Sequence, residues 1–323
     1  LTLLTRCRHV STAGGGTWNT SCTFVDPLVF DWEAAVAKFL VIGHHFRPEV
    51  PGLVRRLVEW ASGGGHSVWA PRADAEALGL NELASDRPPR DADLLVSLGG
   101  DGTVLRAVQL LDGAAVPILG VNVGTLGYLT EVEPDLLVPS VVKWMTGRDG
   151  VNWRTDSRML LKVECHHHDG SPSSQWRALN ETVIERKTSG HTIWMDLAID
   201  GHEFARYSAD GLIVATPTGS TAYSLSARGP VVSPRHRALL VTPVSPHMLF
   251  DRSLVLDPTE SVHIQIVGSR SADVAVDGRR VASVSPGDVV TVAPDDATAL
   301  FIRFGPSRFH QIVRAKFGLG AGE

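Results

Sequence analysis

"LLVSLGGDGTVLRA", Leu94–Ala107, is the stretch that decides the fold. Leu94, Leu95, Val96 and Leu98 lead into Gly99-Gly100-Asp101-Gly102. An apolar run of this kind suits a strand covered on both faces. Val104, Leu105, Val108 and Leu111 then recur at helical spacing. Glycine loops that open helices receive phosphate, because amides and the helix N-terminus attract anions. A carboxylate there is out of place unless it has work other than holding phosphate.

Outward from this stretch the pattern repeats. "KFLVIGHH" (Lys38–His45) reads as a first strand, and Val50, Leu53, Val54, Leu57, Val58 and Ala61 mark a helix that Gly63-Gly64-Gly65 stops. "HSVWAP" reads as strand two, "DLLVSL" as strand three and "VPILGVN" (Val116–Asn122) as strand four. Strand–helix alternation predicts a parallel, doubly wound α/β sheet over residues 38–155. Its ligand belongs beyond the carboxyl ends of the strands. The Asp101 loop and the Gly124–Gly127 loop both lie on that edge.

Past about residue 155 the pattern changes. "MLLKVEC", "TIWMDLAIDGHEFARY", "GLIVATP", "SVHIQIVG" and "GDVVTVAP" are short apolar runs with alternation. Asp200-Gly201 and Asp277-Gly278 have the composition of two-residue hairpin turns. An all-β, sandwich-like domain is expected over 156–300, with a C-terminal segment, 301–323, whose "RFHQIVRAKF" is helical. Residues 1–37 have no acid before Asp26 and are rich in Ser, Thr and Gly. They read as a disordered tail or an early start, rather than a transit peptide, since only Arg6 and Arg8 are basic before Asp26.

A chain of 323 residues suggests about two domains. Its net charge of −5 offers no global attraction to nucleic acid or anionic lipid. No apolar run approaches the roughly 20 residues of a membrane helix. Cys7, Cys22 and Cys165 form no CxxC pair, which fits a reducing cytoplasm better than a disulfide framework. His166-His167-His168 reads as part of a solvated loop, because neighbours on a strand point to opposite faces and cannot share a metal.

Three motifs carry chemistry. GGDGT (99–103) is the first; its structural alternative is a tight turn with a cap at Thr103. "DGLIVATPTGSTAYSLSARGP" (Asp210–Pro230) is the second, with five serine and threonine hydroxyls in "TPTGSTAYS", suited to a sugar, a phosphate or a base edge. "LNE" is the third: Asn180 can pair with an adenine edge, and Glu181 can accept from two ribose hydroxyls. GxxxxGK[ST], GxGxxG and GxSxG are all absent, which removes most support for P-loop, common Rossmann and α/β-hydrolase readings.

Together with "NVGTLGYL" (122–129) and "PHML" (246–249), these motifs resemble the NAD kinase family in content and order, over roughly residues 38–317. The resemblance implies transfer of a terminal phosphoryl group from ATP or polyphosphate to the adenosine ribose 2′-hydroxyl of NAD, giving NADP. It places the catalytic aspartate at Asp101, with Gly102 and Arg106 flanking the ligand. Asn180 and Glu181 fall at the adenosine-binding pair, and Thr221, Ala222, Tyr223, Ser224, Leu225 and Ser226 line the adenine and ribose pocket. Asp210 falls where the family reaches a dinucleotide across a subunit boundary, which implies a homodimer or homotetramer. His191 and Arg279 match further contact positions. Mg²⁺ held with the donor phosphates is the implied metal, without a cage of protein ligands. The chain departs from the family pattern at Arg228, where many members have glycine, and at Ser208, where some have arginine. Two other readings share parts of this pattern. A lipid or sugar kinase with the same GGDG loop would lack an adenine pocket, and a dinucleotide sensor would not need Asp101.

Overall fold

The computed structural model describes residues 36–319. The expected tail, apart from its last two residues, therefore lies outside the described residues.

In chain order the first half comprises β1 (Lys38–Gly43), α1 (Val50–Gly63), β2 (Ser67–Pro71), α2 (Arg72–Leu78), β3 (Ala84–Ser85), β4 (Leu94–Gly99), α3 (Asp101–Leu111), β5 (Ile118–Asn122) and α4 (Leu137–Thr146). The five strands are parallel, in the order β3-β2-β1-β4-β5. Every residue of β4 and β5 is buried, as an unbroken apolar run requires. Helices cover both faces. Leu40, Ile42, Leu95 and Ile118 pack with Val104, Ala107 and Val108 of α3. On the other face Phe39 meets Trp60 of α1 and Trp144 of α4, at ring separations of 6.0 and 6.3 Å. The strand order reverses between β1 and β4, so the crevice beyond their carboxyl ends is the place for a ligand.

The second half comprises β6 (Arg154–His166), β7 (Ser174–Ala178), β8 (Glu181–Arg186), β9 (Ile193–Ile199), β10 (His202–Ala209), β11 (Gly211–Ala215), α5 (Tyr223–Ser226), β12 (Leu239–Val244), β13 (Leu254–Leu256), β14 (Val262–Val267), β15 (Ala272–Val276), β16 (Arg279–Val284), β17 (Val289–Arg303) and α6 (Phe309–Lys316). Its strands pair antiparallel in two sheets. One has the order β13-β12-β11-β8-β15-β16. The other, β10-β9-β14-β17 with β6 and β7, runs on into the parallel sheet where Phe301 of β17 pairs with Ile118 of β5. Met195, Leu197 and Ile264 of one sheet and Ile184, Leu212 and Val274 of the other share a single apolar core. The two halves thus form an α/β unit and a sandwich joined through one continuous sheet.

Both expected hairpins are present. Asp200, Gly201, Asp277 and Gly278 all have positive φ, at 49°, 77°, 46° and 76°, the pair of left-handed residues that such turns need. One expectation changes: the strand expected third is β4, because α2 and the two-residue β3 precede it. His166 ends β6, and His167 and His168 begin a largely exposed loop anchored on Asp288, their Nδ1 atoms 3.1 and 2.8 Å from its carboxylate. Burial would raise the Asp288 carboxyl. The Ser285 amide, the His168 ring and amide and the His167 ring outweigh it and hold that carboxyl far below the usual range. Among the described residues no helix is long and apolar enough to cross a membrane.

Candidate active site

Asp101 opens α3 directly after the buried β4. Its carboxylate turns toward the Gly127–Leu129 loop. The Tyr128 amide donates to Oδ2 and the Leu129 amide to Oδ1, each at 2.9 Å. A side chain on residue 127 would collide with Oδ1, so only glycine lets the loop come this close. Burial, then the Asp101 charge, raises the Tyr128 hydroxyl above its ordinary pKa.

Two cavities are walled by neighbours of Asp101, one by Gly100 and Gly102 and the other by Tyr128. The first, about 370 Å³, lies in the crevice between β1 and β4, walled by His44, His45, Arg47, Gly100, Gly102 and Arg106. The N-terminus of α3 points at it, and nothing crowds the space above Gly102. Arg106 reaches it already paired: its guanidinium bonds Asp74 and donates to the Gly43 carbonyl at 3.3 Å. Arg47 packs over Gly124. Sequence reading missed His44, His45 and Arg47, although their place just after the first strand puts them on the ligand edge.

The second cavity, about 310 Å³, includes Asn122, Tyr128, Thr218, Thr221, Arg158 and Phe309 in its wall. Asn122 is buried, and its Oδ1 has no hydrogen-bond partner. An orphan acceptor at the wall of a cavity can receive a hydrogen bond from a ligand.

The "LNE" and "TPTGST" segments are stitched together. Thr216 donates from its amide to the Asn180 carbonyl at 2.8 Å and from its hydroxyl to the Leu179 carbonyl at 2.5 Å. Gly219 sits so close to the Asn180 carbonyl that any Cβ would strike it. Asp277, at the β15–β16 turn, accepts from the amides of Leu179 (2.9 Å), Asn180 (2.7 Å) and Glu181 (3.3 Å). Glu181 is buried, with Oε2 unpartnered. Burial first, then the neighbouring Asp277 charge, pushes its carboxyl up to about 7, against an opposing hydrogen bond from the Tyr223 amide. Burial also lifts Asp277 to about 6. The role of Asp277 was not read from the sequence, where it figured only as a turn residue.

The other expected residues are more dispersed. Tyr223 is exposed, and Ala222 and Leu225 are half-buried. Ser224 turns inward, its Oγ 3.2 Å from Thr242 Oγ1, whereas Ser226 faces solvent. Asp210 pairs with Arg186 at 3.1 Å, and Arg186 shares a small cavity with His191. Arg279 donates to Gln109 Oε1 at 2.9 Å. Gln109 lies eight residues along α3 from Asp101, about 12 Å by helical rise. Among the described residues no three His, Cys, Asp or Glu side chains cluster as a metal site.

Comparison with known proteins agrees with this architecture. The ATP-NAD kinase N-terminal domain family matches residues 79–147, and the ATP-NAD kinase C-terminal domain family matches 179–304. The NAD kinase of Syntrophotalea carbinolica is 35% identical over 277 residues, covering 84% of this chain and 95% of that protein. Among solved structures, yeast NADH kinase complexed with NADH is similar, with a TM-score of 0.80, 26% identity and 90% of each chain covered. An NAD kinase from Archaeoglobus fulgidus in complex with ATP has a TM-score of 0.64 at 26% identity, covering 86% of this chain and 98% of that one. An α/β unit with an Asp-bearing glycine loop, continued into a sandwich that carries the LNE and TPTGSTAYS segments, is the build of a nucleotide-binding phosphotransferase. The chain belongs to the NAD kinase family.

Proposed function

We propose that this chain phosphorylates the 2′-hydroxyl of the adenosine ribose of NAD, with ATP or inorganic polyphosphate as donor, to give NADP. One observation supports the reading: Asp101 sits between Gly100 and Gly102 in the wall of a cavity that His44, His45, Arg47 and Arg106 make basic, and its carboxylate bonds the amide of Tyr128, which lines a second cavity of hydroxyls, aromatic rings and paired charges. The donor phosphates occupy the first, with the Gly100–Gly102 amides and the N-terminus of α3 toward them. The acceptor adenosine reaches from the second cavity, with Thr218 and Thr221 in its wall, toward the adjoining LNE segment, with Asn180 on the base and Glu181 on ribose hydroxyls. The likeness to a yeast enzyme crystallised with NADH and an archaeal one with ATP supports this division.

This also accounts for a carboxylate in a phosphate loop. Asp101 is held aside by two amides, and each oxygen keeps a lone pair free. One accepts the proton of the 2′-hydroxyl as that oxygen bonds to the terminal phosphorus and the bond to the donor's bridging oxygen breaks. ADP, or a polyphosphate one unit shorter, departs. A weak base suffices, because phosphoryl transfer has a loose transition state. Mg²⁺ bound chiefly by phosphate and water would neutralise charge on the donor. The proposal extends to a nucleotide-binding domain over 38–155, a dinucleotide-binding domain over 156–300 and a C-terminal segment, 301–323, that returns to the first of these. It extends also to a cytoplasmic homodimer or homotetramer in which Asp210 serves a neighbour's dinucleotide.

The test is a matrix of ATP or polyphosphate against NAD or NADH, with product scored by an NADP-specific dehydrogenase. Product from at least one pairing with ATP or polyphosphate is expected; none from any pairing, by a folded protein with Mg²⁺ present, would overturn the reading.

A further inference from the structure

The wall of the second cavity holds four buried charges to which the mechanism gives no part. Asp156 and Arg158 stand on β6, Arg303 ends β17, and Glu131 follows β5. Their side chains are 11%, 7%, 7% and 10% exposed. Two cations and two anions balance, as a buried cluster requires. Asp156 Oδ2 is the hub. It accepts from Arg158 Nε at 3.0 Å and Nη2 at 2.6 Å, and from Arg303 Nε at 3.4 Å.

Each arginine reaches onward to a different wall of the site. Arg303 Nη1 donates to the carbonyls of Leu129 at 3.0 Å and Thr130 at 3.3 Å, and to Glu131 Oε2 at 3.3 Å. Leu129 is the residue whose amide holds Asp101 Oδ1. Arg158 Nη1 donates to Thr218 Oγ1 at 3.3 Å, in the segment packed on Asn180. An unbroken route thus runs from Asp101 through Leu129, Arg303, Asp156 and Arg158 to Thr218. Burial alone would raise the Asp156 carboxyl, but the Arg158 and Arg303 guanidiniums outweigh it and keep it below its ordinary pKa.

We propose that Asp156 is a positioning residue, which fixes the Asp101 carboxylate relative to the acceptor wall by holding Arg303 on one side and Arg158 on the other. The inference rests on the reading of Asp101 as the catalytic base. Misplacing reacting groups by about 1 Å can cost roughly 10²-fold in rate. A hub anion shared by two forks guards against that error on both walls at once. A neutral group there would leave Arg303 paired with Glu131 and take from Arg158 the carboxylate it pairs with.

The experiment compares Asp156→Asn with Ile264→Ala, a change in the sandwich core remote from the site that supplies a loss of melting temperature without touching the route. For Asp156→Asn, kcat per folded enzyme is expected to fall about 10- to 100-fold, with a rise in KM for NAD. Ile264→Ala should leave both constants within about twofold of wild type, measured well below its melting temperature. In an Asp101→Asn background, followed by single turnover, Asp156→Asn should cost less than about threefold more, since there is no base left to position. If Asp156→Asn does not accumulate folded, Asp156→Glu carries the same test: it keeps the charge but displaces it by one methylene, with about a 10-fold loss of kcat expected. Wild-type constants in the folded Asp156 variant beside a dead Asp101→Asn would overturn this inference alone. The same fold loss in both backgrounds would also overturn it. Full turnover by Asp101→Asn would overturn the base assignment and the inference together.

Discussion

Asp101 and Glu181 are both carboxylates of the proposed site, and the fold treats them in opposite ways. Asp101 is half-buried, sits at a helix N-terminus and has each oxygen satisfied by a backbone amide. Glu181 is buried against another acid, with one oxygen unpartnered. The first is fixed in place by its amides before any ligand arrives, with a lone pair left on each oxygen. The second has an oxygen with no partner, so a ligand hydroxyl can supply one. The contrast separates a group that must hold one geometry during chemistry from one that is completed by binding.

The sharpest way to break the contrast is Asp101→Asn. The amide keeps the shape, cannot take the proton, and turns an NH₂ toward one of the two amides that now bind the carboxylate. Turnover is expected to fall about 10²–10⁴-fold, the usual worth of a general base, while NAD still binds. Steady-state kinetics and calorimetric titration check the two halves; turnover within a few-fold of wild type would remove Asp101 from its role. Next in size is Gly127→Ala. Its Cβ would strike Asp101 Oδ1, and the carboxylate cannot swing away without losing the amides. Turnover should fall by roughly 10²-fold with a smaller change in KM. An unchanged kcat would show that the close approach of this loop does not set the Asp101 geometry.

Glu181 predicts a pH effect instead. Its folded pKa is raised, so its contribution to stability is full below its unfolded value and is lost as pH rises through about 7. Glu181→Gln removes that slope. Relative to the variant, the unliganded wild type should lose on the order of 2 kcal/mol between about pH 4.5 and 7.5. NAD affinity should move oppositely, rising with pH through this window, because the ionised carboxylate accepts from ligand hydroxyls. Urea unfolding and NAD titrations at several pH values measure both. Parallel pH curves for wild type and Glu181→Gln would show that Glu181 does not titrate there.

The two centres also differed in how much of them the sequence disclosed. The Asp101 loop was legible because its signals are local: an apolar run, glycines, then helical spacing. The hairpins were legible for the same reason, since Asp-Gly supplies two left-handed residues in succession. Missed elements lacked such signals. Helix α2 has seven residues, only Asp74, Ala75 and Leu78 buried, and so shows no stripe. Helix α4 carries Pro139 near its start, where a helix tolerates proline but a reader expects a break. The surroundings of Glu181 were illegible because they are long-range. Asp277 lies 96 residues away, and no spacing rule connects a turn aspartate to the amides of another strand. The Asp156 hub was hidden likewise, joining two arginines that stand 145 residues apart in the chain, 158 to 303.

The smallest expected effect tests whether the Glu181 side of the site carries backbone strain. Arg228 has φ of 66°, in the loop that follows Tyr223, whose amide bonds Glu181. A left-handed conformation costs a non-glycine residue roughly 1–2 kcal/mol. The Arg228 side chain is exposed, so little packing offsets it. Arg228→Gly relieves that strain but gives the unfolded chain more freedom, which takes back roughly 0.5–1 kcal/mol. The net gain should be about 0.5 kcal/mol, or about 1–2 °C in melting temperature for a chain of this size. KM for NAD should stay within about twofold, because the Tyr223 amide is placed by α5 and not by residue 228. Arg228→Ala supplies the control: it removes the side chain and keeps the strain, so it should show no gain. A rise in melting temperature equal in both variants would mean that the arginine side chain, and not its backbone, is the unfavourable element.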